Sequence, residues 1–106
     1  VRESRLAVAL NRNAEEQEMQ RLRLRVHTAY LRHREAVQEV KALRLSARQA
    51  QENYRIMQNR YMNQLAILTD LLDANSVRLD VELQLTAAST SVVYTYYQLL
   101  RACGRL

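Results

Sequence analysis

Two aspartates in the segment RYMNQLAILTDLLDAN, Asp70 and Asp73, are the first candidates for chemistry in this chain of 106 residues. They are three residues apart, so on a helix they would lie on one face. Paired carboxylates can act as acid and base, but only inside a pocket and beside a partner group. No neighbouring motif supplies either requirement. The pair therefore predicts a local concentration of negative charge rather than a catalytic centre.

The remaining reactive side chains add little chemistry. His33 falls on an apolar helical row and is expected to be an interface histidine, and His27 has no recognisable partner. Cys103 is the only cysteine, which excludes an internal disulfide, and no metal-ligand spacing is present. The sequence also lacks a glycine-rich phosphate loop and a nucleophile beside a base. We therefore predict no catalytic, cofactor-binding or metal-binding residue, no cofactor, and a protein that is not an enzyme.

The composition predicts long helices. The chain has one glycine and no proline, so it has few of the residues that tight turns require. Phe and Trp are absent, while Leu, Ala, Arg, Gln and Glu are abundant and favour helix. The net charge is +5, and the arginines are spread among Glu and Gln, which is typical of the solvated face of a long helix. Residues 83–100 carry no charge, but their Thr, Ser and Gln content argues against a membrane span.

The strongest signal is an apolar row with alternating steps of three and four residues. Twelve of its thirteen members are apolar or tyrosine, and the mean spacing of 3.5 residues is that of a coiled-coil seam. Alanine recurs along the row, so a partner helix can approach closely. The row consists of Met19, Leu22, Val26, Ala29, His33, Ala36, Val40, Leu43, Ala47, Ala50, Tyr54, Met57 and Tyr61.

The second half of the chain contains two apolar rows. A helix with two rows contacts neighbours on two sides, so the pattern favours a wall or bundle of helices; a compact four-helix homodimer would also use both rows. The first row is Leu72, Ser76, Leu79, Leu83, Thr86, Thr90, Val93, Tyr97 and Leu100. The second row is Val77, Val81, Leu85, Ala88, Val92 and Leu99.

These rows predict an all-α fold, a long antiparallel coiled-coil hairpin that forms a single domain over residues 1–106. The first helix is expected over about 1–62 and the second over about 69–102. The predicted tip between them is 63–68. The apolar rows cannot all be buried within one hairpin, so we also expect self-association.

Helix-terminal residues refine this prediction. Asn63 tolerates the left-handed backbone conformation and is a reasonable end for the first helix. Thr69 or Asp70 can cap the second helix, and Asp70 and Asp73 then lie in its first turn, where the helix dipole favours negative charge. Gly104 is expected to end the second helix.

Several motifs, taken in order, resemble the C-terminal part of TolC-type outer-membrane efflux channels. The family pattern RY-x-x-G-L-x-[ST]-x-x-D-L-L-D-A stands here as Arg60-Tyr61, Leu65 and residues 70–74, DLLDA. The family's closing A-x-G-x-L stands as residues 102–106, ACGRL. The upstream alanine seam, within AYLRHREAVQEVKALRLSARQAQENYRIMQNRY, is also similar to the family's long helix. The resemblance covers nearly the whole chain and is best from about Ala29 onward.

The resemblance implies a function in transport. Family members are homotrimers that combine an outer-membrane β-barrel with a periplasmic α-helical tunnel, and this hairpin would be one fragment of the tunnel wall. Asp70 and Asp73 would contribute to a ring of six carboxylates at the channel entrance. The expected partners are a periplasmic adaptor protein and, indirectly, an inner-membrane pump, with no nucleic acid. The location implied is the outer membrane of a Gram-negative bacterium, with this segment in the periplasm. Contacts with the adaptor would involve five residues: Asn63, Gln64, Leu65, Ala66 and Ile67.

Two residues depart from the family pattern. Gln64 replaces the tip glycine, so Asn63 is expected to adopt the special backbone conformation instead. Ile67 replaces a small hydroxyl residue and cannot cap a helix through its side chain. An alternative function stays open beside the channel: a coiled-coil interaction or scaffold module, with nucleic acid as one candidate partner through the arginines.

Overall fold

A computed structural model describes residues 2–104, which form two antiparallel helices. The first helix, α1, is Arg2–Met62, and the second, α2, is Leu68–Ala102. The tip is the connection formed by residues 63–67. The molecule measures 94 × 19 × 16 Å, and the described residues contain no strand. The predicted all-α hairpin is confirmed, with helix boundaries within a residue or two of those expected.

The predicted seam of α1 faces α2 over most of its length. Ala36, Val40 and Ala50 are buried there. Because alanine carries only a methyl group, the two helix backbones can approach closely at these points. The other seam members between Val26 and Met57 are partly buried: Val26, Ala29, His33, Leu43, Ala47, Tyr54 and Met57.

The predicted seam is too long at its beginning, and its last member, Tyr61, is also exposed. Residues 2–25 of α1 are all exposed, including the seam members Met19 and Leu22. The physical reason is length, since α1 has 61 residues and α2 has 35. At 1.5 Å per residue, α1 therefore extends roughly 40 Å beyond the region that α2 covers.

The face of α2 that contacts α1 differs from the longer predicted row. Ala74, Ala88 and Thr95 are buried against α1. We call this face the inner seam; it consists of Leu71, Ala74, Arg78, Val81, Leu85, Ala88, Val92, Thr95 and Leu99. Most of the second predicted row belongs to it, but Val77 is exposed. The row that begins at Leu72 is mostly exposed and lies roughly 150° around the helix from the inner seam, taking about 100° per residue. We call it the outer row.

Two polar contacts cross the interface between the helices. His33 Nδ1 lies 3.1 Å from Thr95 Oγ1, and the Thr95 hydroxyl donates to backbone carbonyls within its own helix. The two side chains thus form a hydrogen bond across the interface. The Arg78 guanidinium lies over the Tyr54 ring, 4.9 Å from its centroid, and Arg78 also bonds Asn75 and Glu82. His33 is thus an interface histidine, as the seam predicts.

The uncharged stretch of α2 satisfies its hydroxyl groups internally. Thr86, Ser89 and Thr90 each donate to the carbonyl oxygen four residues earlier. Such bonds let Ser and Thr occupy a helix without an external partner. Among the described residues, neither helix combines the length and apolarity needed to cross a membrane.

Candidate functional site at the hairpin tip

The end of α1 is closed by two backbone hydrogen bonds of the Schellman type. Gln64 N–H donates to the Tyr61 carbonyl at 3.1 Å, and Leu65 N–H donates to the Arg60 carbonyl at 2.7 Å. This arrangement requires a left-handed residue, and Gln64 takes that role with a φ of 61°. The expectation that Asn63 would adopt this conformation is wrong by one residue. Asn63 instead donates from Nδ2 to the Asn59 carbonyl at 2.9 Å.

The start of α2 lacks a side-chain cap. Ile67, with φ −90° and ψ 162°, holds the extended conformation typical of an N-cap residue, but its side chain has no oxygen to accept a bond. The predicted caps, Thr69 and Asp70, are therefore wrong, because the helix begins at Leu68. Half of a capping box is present, since the Ile67 N–H donates to Asp70 Oδ2 at 3.4 Å.

The tip presents a cluster of exposed apolar side chains. Leu65 is 77% exposed, and Met62, Ile67 and Leu68 are each more than half exposed. Ala66 is partly buried. Exposed apolar residues that cluster at one end of a molecule are typical of a contact surface. The structure thus gathers the five predicted tip residues and adds Met62 and Leu68, which the sequence reasoning did not include.

Asp70 and Asp73 lie just beyond this cluster, at the start of α2, and both are exposed. Within residues 2–104, neither carboxylate forms an ion pair. Asp70 lies in the first turn of α2, where its charge is favourable near the positive end of the helix dipole. The expectation that Asp73 also lies in the first turn is wrong, because α2 begins at Leu68 and Asp73 falls in the second turn. Both carboxylates remain accessible to solvent and to other molecules. The arrangement of two exposed carboxylates can attract cations.

The described residues also contain no cluster of three or more His, Cys, Asp or Glu side chains that could hold a metal ion. Cys103 is exposed at the opposite end of the hairpin, where α2 ends. Gly104 follows with a φ of 76° and donates to the Arg101 carbonyl, so it ends α2 as expected.

Comparisons of the chain with protein-family models, with curated proteins and with solved structures found no match.

Proposed function

We propose that this hairpin is a periplasmic tunnel segment of a trimeric TolC-type outer-membrane channel that exports small molecules through a tripartite pump, with no enzymatic role. The single observation that carries this proposal is that α2 has two apolar faces, of which only one contacts α1. A tunnel wall requires this, because each of its helices lies between two others.

The outer row of α2 supplies the second contact face. Leu79, Leu83 and Val93 are at least half exposed on it. Exposed apolar side chains that recur along one face of a helix are typical of an interaction surface, and here Ser76, Thr86 and Thr90 stand between them. In a tunnel wall, the outer row of one hairpin would pack against α1 of the next hairpin.

The net charges of the two helices also favour a wall in which α1 and α2 of successive hairpins alternate. α1 contains 13 basic and seven acidic residues, whereas α2 contains two basic and four acidic residues. When hairpins stand side by side in the same orientation, each α2 lies beside the α1 of a neighbour. Opposite net charges then face each other, which assists association and disfavours contacts between like helices.

The tip fits the end of such a tunnel. Its apolar cluster offers a surface on which the helical hairpin of a periplasmic adaptor would dock. Asp70 and Asp73 would come together around the threefold axis and form a ring of six carboxylates. A ring of negative charge at a constriction raises the local concentration of cations and opposes closure through mutual repulsion.

The ring can be tested by conductance of the parent channel in planar lipid bilayers. The double variant Asp70→Asn, Asp73→Asn should lower the ratio of cation to anion permeability toward one. The matched control is Asp80→Asn, which removes a carboxylate from the same helix farther from the tip and should leave the ratio unchanged. A parent protein that forms no pores would refute the channel. Pores whose selectivity is the same in both variants would refute the role of the two acids.

Assembly can be tested on the chain itself by sedimentation. Leu83→Glu places a charge in the outer row and should abolish self-association. Gln84→Glu adds the same charge on an exposed position outside the row and should leave association intact. A stable monomer at high concentration of the unmodified chain would contradict the tunnel-wall proposal, and a strictly dimeric species would favour the four-helix homodimer instead.

A scaffold that binds nucleic acid is a second candidate, and one observation favours it. Four exposed basic side chains recur every seven residues along one face of α1, each about 10 Å from the next. They are Arg34, Lys41, Arg48 and Arg55, of which Arg55 is paired with Glu52. Binding of duplex DNA or RNA across a range of salt concentrations separates the two functions. Tight binding with a steep loss of affinity as salt rises supports the scaffold, whereas its absence supports the channel.

A further inference from the structure

A groove of about 630 Å³ lies between α1 and α2 at the end of the hairpin far from the tip. Three arginines and two tyrosines line it: Arg25 and Arg32 from α1, and Tyr94, Tyr97 and Arg101 from α2. We call it the arginine–tyrosine groove. It is separate from the tip, and the proposed channel entrance makes no use of it.

Small residues keep the groove open. Ala29 of α1 and Ala102 of α2 also line it, and both are partly buried. Because each carries only a methyl group, the space between the longer arginine and tyrosine side chains is left unfilled. A larger side chain at either position would occupy the volume that a ligand could enter.

The groove carries positive charge that no carboxylate in its lining balances. No carboxylate lines it, and within the described part of the chain none of its three arginines forms an ion pair. Three guanidinium groups along one groove repel one another and concentrate anions. The planar fork of arginine matches the oxygens of a carboxylate, sulfonate or phosphate, so the preferred ligand carries such a group.

The two tyrosines favour a ligand that also contains a flat apolar ring system. Tyr94 and Tyr97 are 62% and 54% exposed, so their rings are available to a ligand. Aromatic rings gain from stacked or edge-on contact with other rings, beyond the area they bury. Arg25 and Arg32 are seven residues apart on α1, which places them roughly 10 Å from each other along the helix. A two-ring aromatic molecule with an acidic group spans such a distance.

We propose that the arginine–tyrosine groove binds planar aromatic anions, that is, small molecules in which a carboxylate, sulfonate or phosphate is attached to a flat ring system. The arginines hold the anionic group and the tyrosines contact the ring. This inference goes beyond the proposed tunnel function and concerns the hairpin itself, since Tyr97 also belongs to the outer row that the proposed tunnel would pack against a neighbouring hairpin.

Calorimetric titration of the chain with three probes tests the proposal. The probes are 2-naphthalenesulfonate, the neutral 2-naphthalenemethanol, and inorganic sulfate. The sulfonate should bind with one molecule per chain and at least about tenfold more tightly than either of the others, because only it satisfies both arginine and tyrosine. Equal binding of the neutral probe, or no sulfonate binding at millimolar concentration, would overturn the proposal.

Two pairs of variants locate the binding. Arg25→Gln with Arg101→Gln should weaken sulfonate binding roughly tenfold or more. Its control, Arg34→Gln with Arg48→Gln, removes the same charge from exposed positions outside the groove and should change affinity less than twofold. An equal loss in both double variants would mean that the probe responds only to net charge and would refute the site.

The aromatic contribution is tested separately. Tyr94→Leu should weaken sulfonate binding about fivefold and leave sulfate binding unchanged, and Tyr61→Leu, near the tip, should alter neither. Circular dichroism establishes that each variant keeps its helices. If Tyr94→Leu and Tyr61→Leu behave alike, the ring contact is absent. A single-stranded oligonucleotide that binds far more tightly than the sulfonate would likewise overturn the assignment to small molecules.

Discussion

Replacing Gln64 by glycine should stabilise the hairpin. Gln64 holds a left-handed φ of 61°, which costs an L-residue about 1–2 kcal/mol. Glycine removes this cost but has more freedom in the unfolded chain, worth about 0.5–1 kcal/mol. The Gln64 side chain is exposed, so little contact is lost. The expected net gain in the free energy of unfolding is therefore about 0.5–1 kcal/mol.

The control for this prediction is the same substitution in a helix interior. Gln58 is an exposed residue of α1, and Gln58→Gly should destabilise the chain by about 0.5–1 kcal/mol. Both variants change the unfolded state alike, so the difference between them reports the backbone conformation at residue 64. Urea unfolding followed by circular dichroism measures both at several matched chain concentrations, which accounts for self-association.

Two outcomes would refute the reasoning. If Gln64→Gly and Gln58→Gly lower stability equally, residue 64 is not left-handed. If Asn63→Gly stabilises the chain and Gln64→Gly does not, the left-handed residue is Asn63, as the sequence alone suggests. The structure predicts that Asn63→Gly destabilises, because it also removes the side-chain hydrogen bond to the Asn59 carbonyl.

Three further predictions concern helix capping, packing and charge. Ile67→Ser should raise the free energy of unfolding by about 1 kcal/mol, since the backbone already has the N-cap conformation and gains an acceptor; urea unfolding measures it. Ala88→Leu should lower that free energy by about 1–3 kcal/mol by overpacking the interface, whereas exposed Ala87→Leu should not. The hydrogen bond from Arg55 lowers the pKa of Glu52, so NMR titration should show this carboxyl ionising at lower pH than an ordinary glutamate. Its favourable ion pair is present above the pKa of an ordinary glutamate and is lost as the pH falls through the lowered pKa.

Each of these predictions has an outcome that contradicts it. A decrease in stability for Ile67→Ser would show that the N-cap lies elsewhere, at Thr69 for example. Equal effects of Ala88→Leu and Ala87→Leu would mean that the inner seam is assigned to the wrong face. A Glu52 titration that does not move toward the ordinary value in the Arg55→Gln variant would show that another group perturbs the carboxyl.

The hairpin itself could be predicted from the sequence for a physical reason. A chain with one glycine and no proline has few places to turn, and an apolar row of period 3.5 can be buried only against another helix. The sequence therefore predicts the end of the first helix, Met62, to within a residue. The site is less predictable. The exposed acids Asp70 and Asp73 follow from the helix boundary, but the left-handed residue depends on a Schellman geometry that Asn63 and Gln64 could each have adopted.

Sequence could not determine which face of α2 contacts α1, because polar residues occur on both faces. The inner seam contains Arg78, whose stem lies along the interface while its guanidinium covers Tyr54, a contact that a hydrophobicity pattern does not register. It also contains Thr95, whose hydroxyl bonds to backbone carbonyl oxygens of α2 and lies within hydrogen-bond distance of His33. Both residues look unfavourable for a seam until their partners are known.

The tip constrains the choice between the two faces. A connection of five residues, closed by the Schellman bonds at Gln64 and Leu65 and entered at Ile67 with an extended backbone, leaves α2 little freedom to rotate about its axis. A rotation of about 100° corresponds to a shift of one residue, so a different tip length would present a different face to α1. The backbone geometry of the tip is therefore one determinant of which face of α2 remains exposed, beside the apolarity of the two rows. The departures at Gln64 and Ile67 are compatible with this geometry, since neither prevents the turn from orienting the outer row away from α1.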